Sequence, residues 1–345
     1  MSNRRLELSP SVLHQHLVKH TKQAMAFRGG DVKPWQRRLR RKLAELTGYS
    51  RMPTERPPLN VRSLWTQRHP FGSIEKIAFT AEPHADVLAY VCIPKESRPP
   101  YTWMICLQGH STGMHNSIGV DREDEMKRIK VEGDRDFALG CMERGIAALC
   151  IEQRSFGLRR EQTQKQVAQA GCQDATMHAL ILGRTLLAER VFDVDRGIDY
   201  LLTRGDVETK RIGVMGNSGG GTISVFSAAL LPRLAFAMPS CYFCTFRDSV
   251  MSIMHCVDNY VPNLFLHAEM SDVLGLFAPR PVVVVAGKTD PIFPVRAVRR
   301  AFRDLQRIYR AAGAPDRCRL VVGGEGHRFY AKLAWPKMLA QLRRL

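Results

Sequence analysis

Six short apolar runs set the pattern of this chain, and none of them alternates with polar residues. Trp103–Leu107, Gly145–Ile151, Arg211–Met215, Leu234–Met238, Pro281–Ala286 and Arg319–Val322 each end at a turn rich in glycine or polar residues. Helix-period stripes lie between them. Leu187, Val191, Val194, Ile198 and Leu201 form one stripe. Val298, Ala301, Phe302, Leu305, Ile308 and Tyr309 form a second, closed by Gly313. Strands alternating with helices imply βαβ units, hence an α/β fold with a mostly parallel central sheet. Runs without polar alternation fit a sheet covered by helices on both faces. Ile74–Thr80 and Val87–Ile93, flanking Glu82-Pro-His-Ala-Asp86, read as an antiparallel pair ahead of the parallel set.

The flanking segments read differently. Trp35, Leu39, Leu43 and Leu46 make one apolar stripe, and Pro53, Pro57 and Pro58 then break it. Residues 1–60 are therefore expected to form an N-terminal helical arm and linker, and residues 61–345 a catalytic domain. Residues 153–186 and 241–276 interrupt the alternation and read as insertions over the sheet edge.

Composition narrows the class. An apolar content of 45% in 345 residues supplies a large core. Met1-Ser-Asn-Arg-Arg is followed by no apolar h-region, and no run approaches the roughly 18 apolar residues of a spanning helix. A cytoplasmic protein without membrane insertion is the expectation. The nine cysteines cannot all pair. Cys241-Tyr-Phe-Cys244 has no second CxxC or HxxxH, so buried structural thiols are expected rather than a zinc or redox site. The net charge of +18 resides at the ends, +9 in residues 1–60 and +10 in residues 296–345. Without a zinc-finger, RNP or helix-turn-helix signature, this excess is read as solubility or a face for an acidic partner, not as nucleic-acid recognition.

The chemistry begins at Gly216-Asn217-Ser218-Gly219-Gly220. This G-x-S-x-G run follows a strand and precedes a helix-like stretch, Thr222–Leu231, which is the context a nucleophile elbow requires. The competing reading is a structural glycine turn. A phosphate loop is disfavoured because no Lys-Ser or Lys-Thr follows the glycines. A serine needs a base. His327, in a Gly-Gly-Glu-Gly-His loop after the last strand, is the first candidate, with His110 as competitor. Asp290, after the strand 281–286, supplies the third member, with an Asx turn before Pro291 as its bland alternative. Asp258 and Asp272 rank lower because they lie in an expected insertion. The oxyanion hole would use the Gly219 N–H and a second N–H from the loop after Leu107, His110 first and Gly109 second. No metal, nucleotide or flavin signature stands out, so no cofactor is expected.

Taken together, Leu107-Gln-Gly-His110, Glu152-Gln-Arg-Ser-Phe-Gly157, Gly183-Arg-Thr-Leu-Leu187, Gly216-Asn-Ser-Gly-Gly-Gly221, Pro239-Ser-Cys-Tyr-Phe-Cys-Thr-Phe246, Ala278-Pro-Arg-Pro281, Asp290-Pro-Ile-Phe-Pro294 and Gly326-His327 carry a resemblance. The chain from about residue 60 onward resembles the α/β-hydrolase branch that contains dienelactone-hydrolase-like and acetyl xylan esterase-like proteins. That resemblance implies Ser218, Asp290 and His327 as the triad of a serine esterase, with small esters or acetylated sugars as substrates. Gln108 stands where many esterases carry the histidine of a His-Gly pair, which leaves the second oxyanion donor open. A peptidase, a cofactor-free lyase or haloperoxidase on the same fold, and a non-catalytic protein binding nucleic acid through its basic ends are the alternatives. The N-terminal arm could also pack on a second subunit.

Overall fold

The computed structural model describes residues 6–161 and 171–345. Two helices come first, α1 (Pro10–His20) and α2 (Val32–Thr47). Three antiparallel strands follow: β1 (Arg62–His69), β2 (Gly72–Glu82) and β3 (Ala85–Pro94). The alternating part comprises β4 (Tyr101–Leu107), α3 (Phe137–Met142), β5 (Ala147–Ile151), α4 (Gln173–Ile181), α5 (Leu186–Leu202), β6 (Val207–Asn217) and α6 (Gly219–Leu230). It continues with β7 (Phe236–Ser240), α7 (Met270–Gly275), β8 (Val282–Gly287), α8 (Val295–Ala311), β9 (Cys318–Gly323) and α9 (Ala331–Leu342). The sheet order is β1-β2-β3-β5-β4-β6-β7-β8-β9. β5, β4, β6, β7, β8 and β9 run parallel, and β3 joins them antiparallel through β5.

The absence of polar alternation has a direct cause. Successive side chains point to opposite faces of a strand, and both faces here are dry. Trp103, Ile105 and Leu107 of β4 join a core shared with α2, α5, α6, α7 and α8. Met104 and Cys106 join the opposite core, with α3 and α9. Val282 and Val284 of β8 divide from Val283 and Val285 in the same way.

Local signals set the helix ends. Asp31 caps α2 by accepting the Lys33 N–H at 2.9 Å, and Gly48 ends it in the left-handed conformation. Thr185 caps α5 through the Ala188 N–H at 3.0 Å. The stripe of α2 does not lie apart from the sheet domain. Trp35, Leu39 and Leu43 are buried in its core, and Gln36 Nε2 donates to the carbonyls of Gly275 and Ala278 at 3.0 and 2.7 Å. By contrast, α1 buries none of its residues.

Three features had no clear sequence signal. None of the residues of β1 is buried, so no apolar pattern marks it; it is an edge strand rich in polar groups. The apolar stripe of α5 is matched by a buried polar face carrying Arg190, Asp193, Asp195 and Arg196. α9 contains Pro336, a residue that disfavours helix interiors. Burial outweighs that cost: Trp335 is fully enclosed, edge-on to Phe329 and under the Arg144 guanidinium. Trp335→Ala should lower the unfolding free energy by about 3–5 kcal/mol, measured by urea titration. A loss under about 1 kcal/mol would show that α9 is not part of the cooperative core.

Candidate active site

The elbow lies between β6 and α6. Ser218 has φ 57° and ψ −121°, a strained conformation for a residue with a β-carbon. The surroundings enforce it. A β-carbon on Gly220 would lie 2.0 Å from the Leu107 carbonyl oxygen, so α6 can enter only where glycine stands. The Ser218 N–H donates to the Ser240 carbonyl at 3.0 Å, tying the elbow to the end of β7. Its side chain thus rises at the N-terminus of α6, where unpaired N–H groups favour developing negative charge.

Asp290 and His327 are brought together. His327 Nδ1 and Asp290 Oδ2 are 2.8 Å apart, with the Asp290 carboxylate buried. Asp290 Oδ1 also accepts the N–H groups of Ile292 and Phe293 at 2.9 and 3.2 Å, so the turn role and the pairing role coexist. Phe293 stacks on the His327 ring. The dyad adjoins the elbow through Cys241. This residue follows Ser240, and its thiol, a His327 ring nitrogen and an Asp290 oxygen lie within 4.8 Å of one another. Cys241 and Cys244 are buried and unpaired. Burial and the Asp290 charge push the Cys241 thiol up to about 12.

The loop after β4 reaches the serine. A β-carbon on Gly109 would lie 3.0 Å from Ser218 Cβ, and one on Gly219 would meet His110 Nδ1 at 2.8 Å. Gly109, His110 and Gly219 therefore share one corner with Ser218. Gln108, the residue that departs from the esterase pattern, pins this loop by donating to Ser117 Oγ at 2.8 Å and to the Arg135 carbonyl at 2.7 Å.

The side chain of His110 pairs with Asp258, a carboxylate that the sequence ranked below Asp290. Its Nε2 lies 2.9 Å from Asp258 Oδ2, which also accepts from Arg190 Nη1 at 2.6 Å. Burial opposes charge on His110, but the Asp258 carboxylate prevails and pushes it up to about 9. Asp258, in spite of its burial, is held well below the usual carboxylate range by Arg190 and His110. Asp272 belongs to neither dyad; it accepts from the Phe27 and Glu269 N–H groups and helps cap α7.

A cleft of about 570 Å³ opens beside this corner. His110, Thr112, Ser155, Phe156, Cys172 and Cys256 contribute to its walls, so both expected insertions border it. Part of the insertion expected over 153–186 lies outside the described residues. Glu152, at the end of β5, joins two wall segments. Its two oxygens accept the N–H groups of Met114 and Leu158 at 3.0 and 3.1 Å.

A parallel-rich sheet with a strained serine elbow at a strand end and a histidine paired with a buried aspartate on neighbouring loops defines an α/β-hydrolase. Residues 2–323 match the model of Abhydrolase_7, described as an Abhydrolase family, and the chain belongs to that family. The chain is similar to "Putative hydrolase YtaP" of Bacillus subtilis (strain 168), with 25% identity over 276 residues, 79% of this chain and 88% of that protein. Among solved structures it is similar to a "putative acetyl xylan esterase" from Bacteroides fragilis NCTC 9343, with a TM-score of 0.76, 16% identity, and coverage of 97% and 86% of the two chains. It is also similar to a glucuronoyl esterase from Solibacter usitatus, with a TM-score of 0.65, 15% identity, and coverage of 94% and 98%. At these identities the two structures show the fold.

Glu152 should make stability depend on pH. Burial raises its carboxyl to about 7, against the bonds from Leu158 and Met114 and the charges of Arg159 and Lys76. The folded state therefore holds this proton more tightly than the unfolded chain does, near about 4.3. The contribution is complete below that value and is lost as pH rises through about 7. Melting temperature of the wild type should fall relative to Glu152→Gln between about pH 5 and about pH 8. A difference between the two proteins that stays constant over this window would contradict the assignment.

Proposed function

We propose that the protein is a serine hydrolase of carboxylic esters working through an acyl-enzyme, with Ser218, His327 and Asp290 as its triad. The observation that carries this reading is the 2.8 Å pairing of His327 Nδ1 with buried Asp290 on the loops after β8 and β9, with Ser218 held in elbow geometry after β6. With Nδ1 engaged, Nε2 is the nitrogen left to take the serine proton. Ser218 Oγ attacks the ester carbonyl as its proton passes to His327. The oxyanion is met by the Gly219 N–H and by an N–H of the Gly109–His110 loop. His327 returns the proton to the departing alcohol. Water then attacks the acyl-serine, again through His327, and releases the acid.

Small esters and acetylated sugars are the proposed substrates. The names of the similar structures, a "putative acetyl xylan esterase" and a glucuronoyl esterase, support carbohydrate esters as the class. The dienelactone-hydrolase-like affinity belongs to the same proposal. So does a cytoplasmic location, which is supported by nine cysteines that are all unpaired.

Ser218→Ala should keep the wild-type melting temperature and lose at least about 10⁴-fold in kcat on p-nitrophenyl acetate. Asp290→Asn should lose on the order of 10³–10⁴-fold by leaving the imidazole in the wrong tautomer. A fluorophosphonate should label the wild type at Ser218 and leave Ser218→Ala unlabelled. Wild-type turnover in Ser218→Ala would overturn the proposal.

A further inference from the structure

The cleft beside the elbow holds donors that ester hydrolysis does not use. A ring nitrogen of His110, the sulfurs of Cys172 and Cys256, and a carboxylate oxygen of Asp258 all lie within 4.8 Å of one another. They come from three separate stretches of chain: the loop after β4, the residue that starts α4, and the loop between β7 and α7. Cys172 interacts electrostatically with both Cys256 and His110. Two thiols and an imidazole are the donor types that select zinc-class ions over magnesium or calcium.

Asp258 has a different part. Its Oδ2 is already shared by Arg190 Nη1 and His110 Nε2, so it is a poor donor to an ion. It is well placed as the carboxylate that fixes a ligating histidine, the usual partner of the ring nitrogen facing away from the metal. Asp258 occupies Nε2 and leaves Nδ1 as the ring nitrogen open to an ion. The charges also close: two thiolates offset a divalent ion, and Asp258 offsets Arg190, whose guanidinium lies over the Phe156 ring at 4.2 Å. A tetrahedral site with metal–sulfur bonds of about 2.3 Å and metal–nitrogen bonds of about 2.0 Å needs donors roughly 3.4–3.8 Å apart, so side-chain adjustment has to bring the three donors closer together.

We propose that His110, Cys172 and Cys256 bind one zinc-class divalent ion, with Asp258 orienting His110 and the fourth coordination position open to the cleft. Binding displaces the two thiol protons and the proton on His110 Nδ1 to solvent; no oxidation is involved. The ion ties α4 and the loop of the second insertion to the loop that carries Gly109. It thereby fixes the wall nearest Ser218. The assignment stands apart from ester hydrolysis, so Ser218→Ala should bind the ion as the wild type does.

The test uses the full chain, purified under reducing conditions with zinc supplied and then dialysed. Elemental analysis should find one zinc per chain in the wild type, in Ser218→Ala and in the Cys244→Ser control. Cobalt(II) in place of zinc should give the visible bands of a tetrahedral site and a thiolate-to-cobalt charge-transfer band. Cys172→Ser and Cys256→Ser should lose that charge-transfer intensity in part and the double variant entirely, with circular dichroism checking that each is folded. Asp258→Asn should weaken zinc about 10–100-fold in competition with a chelator. Wild-type protein that retains no zinc and gives no charge-transfer band overturns the proposal. So does equal binding by a folded Cys172→Ser/Cys256→Ser variant, or a Cys172–Cys256 disulfide in the protein purified under reducing conditions.

Discussion

Helix α6 passes so close to the ends of β4 and β7 that its first turn admits no side chains. This contact fixes Ser218 and much of what surrounds it. The Leu107 carbonyl lies against Gly220, the Ser240 carbonyl takes the Ser218 N–H, and Gly109 packs on Ser218 itself. Three strand ends are thereby locked to one turn. The strain at Ser218 is sustained because the packed sheet on both sides over-determines the geometry. Preorganisation of this kind spares a reacting group the cost of finding its orientation.

Around this fixed point the walls are held by charge. Asp193 is buried and bonded to Arg154 and Arg159, while Glu82 takes Arg154 and Arg184. Arg190 links the Arg154 carbonyl to Asp258, and so joins α5 to the second insertion. Removing one member would strand a buried partner, a loss of about 3–5 kcal/mol for a broken buried pair. Hydrophobic contact is non-directional and could not aim these loops. Hydrogen-bonded ion pairs can, which is why the polar side of α5 faces inward instead of water.

The pattern of the chain carried the sheet for a simple reason. A strand buried on both faces must be apolar throughout, and six such runs leave few arrangements. The order of the candidate site residues was legible for a related reason. Ser218, Asp290 and His327 each follow a strand, and strand ends of a parallel sheet converge on one edge. Glycine at an elbow is also a local necessity, so it shows in sequence. β1 was not legible because exposed polar residues satisfy an edge strand without periodicity. The partnership of His110 with Asp258 was not legible because 148 residues separate them and both lie in loops.

The sequence by itself determined the layered α/β sheet, the elbow at Ser218 and the identity of the residues that follow its strands. These depend on local sterics and on periodic burial, which a linear pattern can hold. Only the tertiary structure decided that α2 belongs to the core, that the inward face of α5 carries an ion network, and that Cys172, Cys256 and His110 share one corner beside Ser218. Those outcomes depend on distances between segments remote in the chain. Such distances are set by how the insertions fold back over the sheet, and no spacing of residue types encodes them.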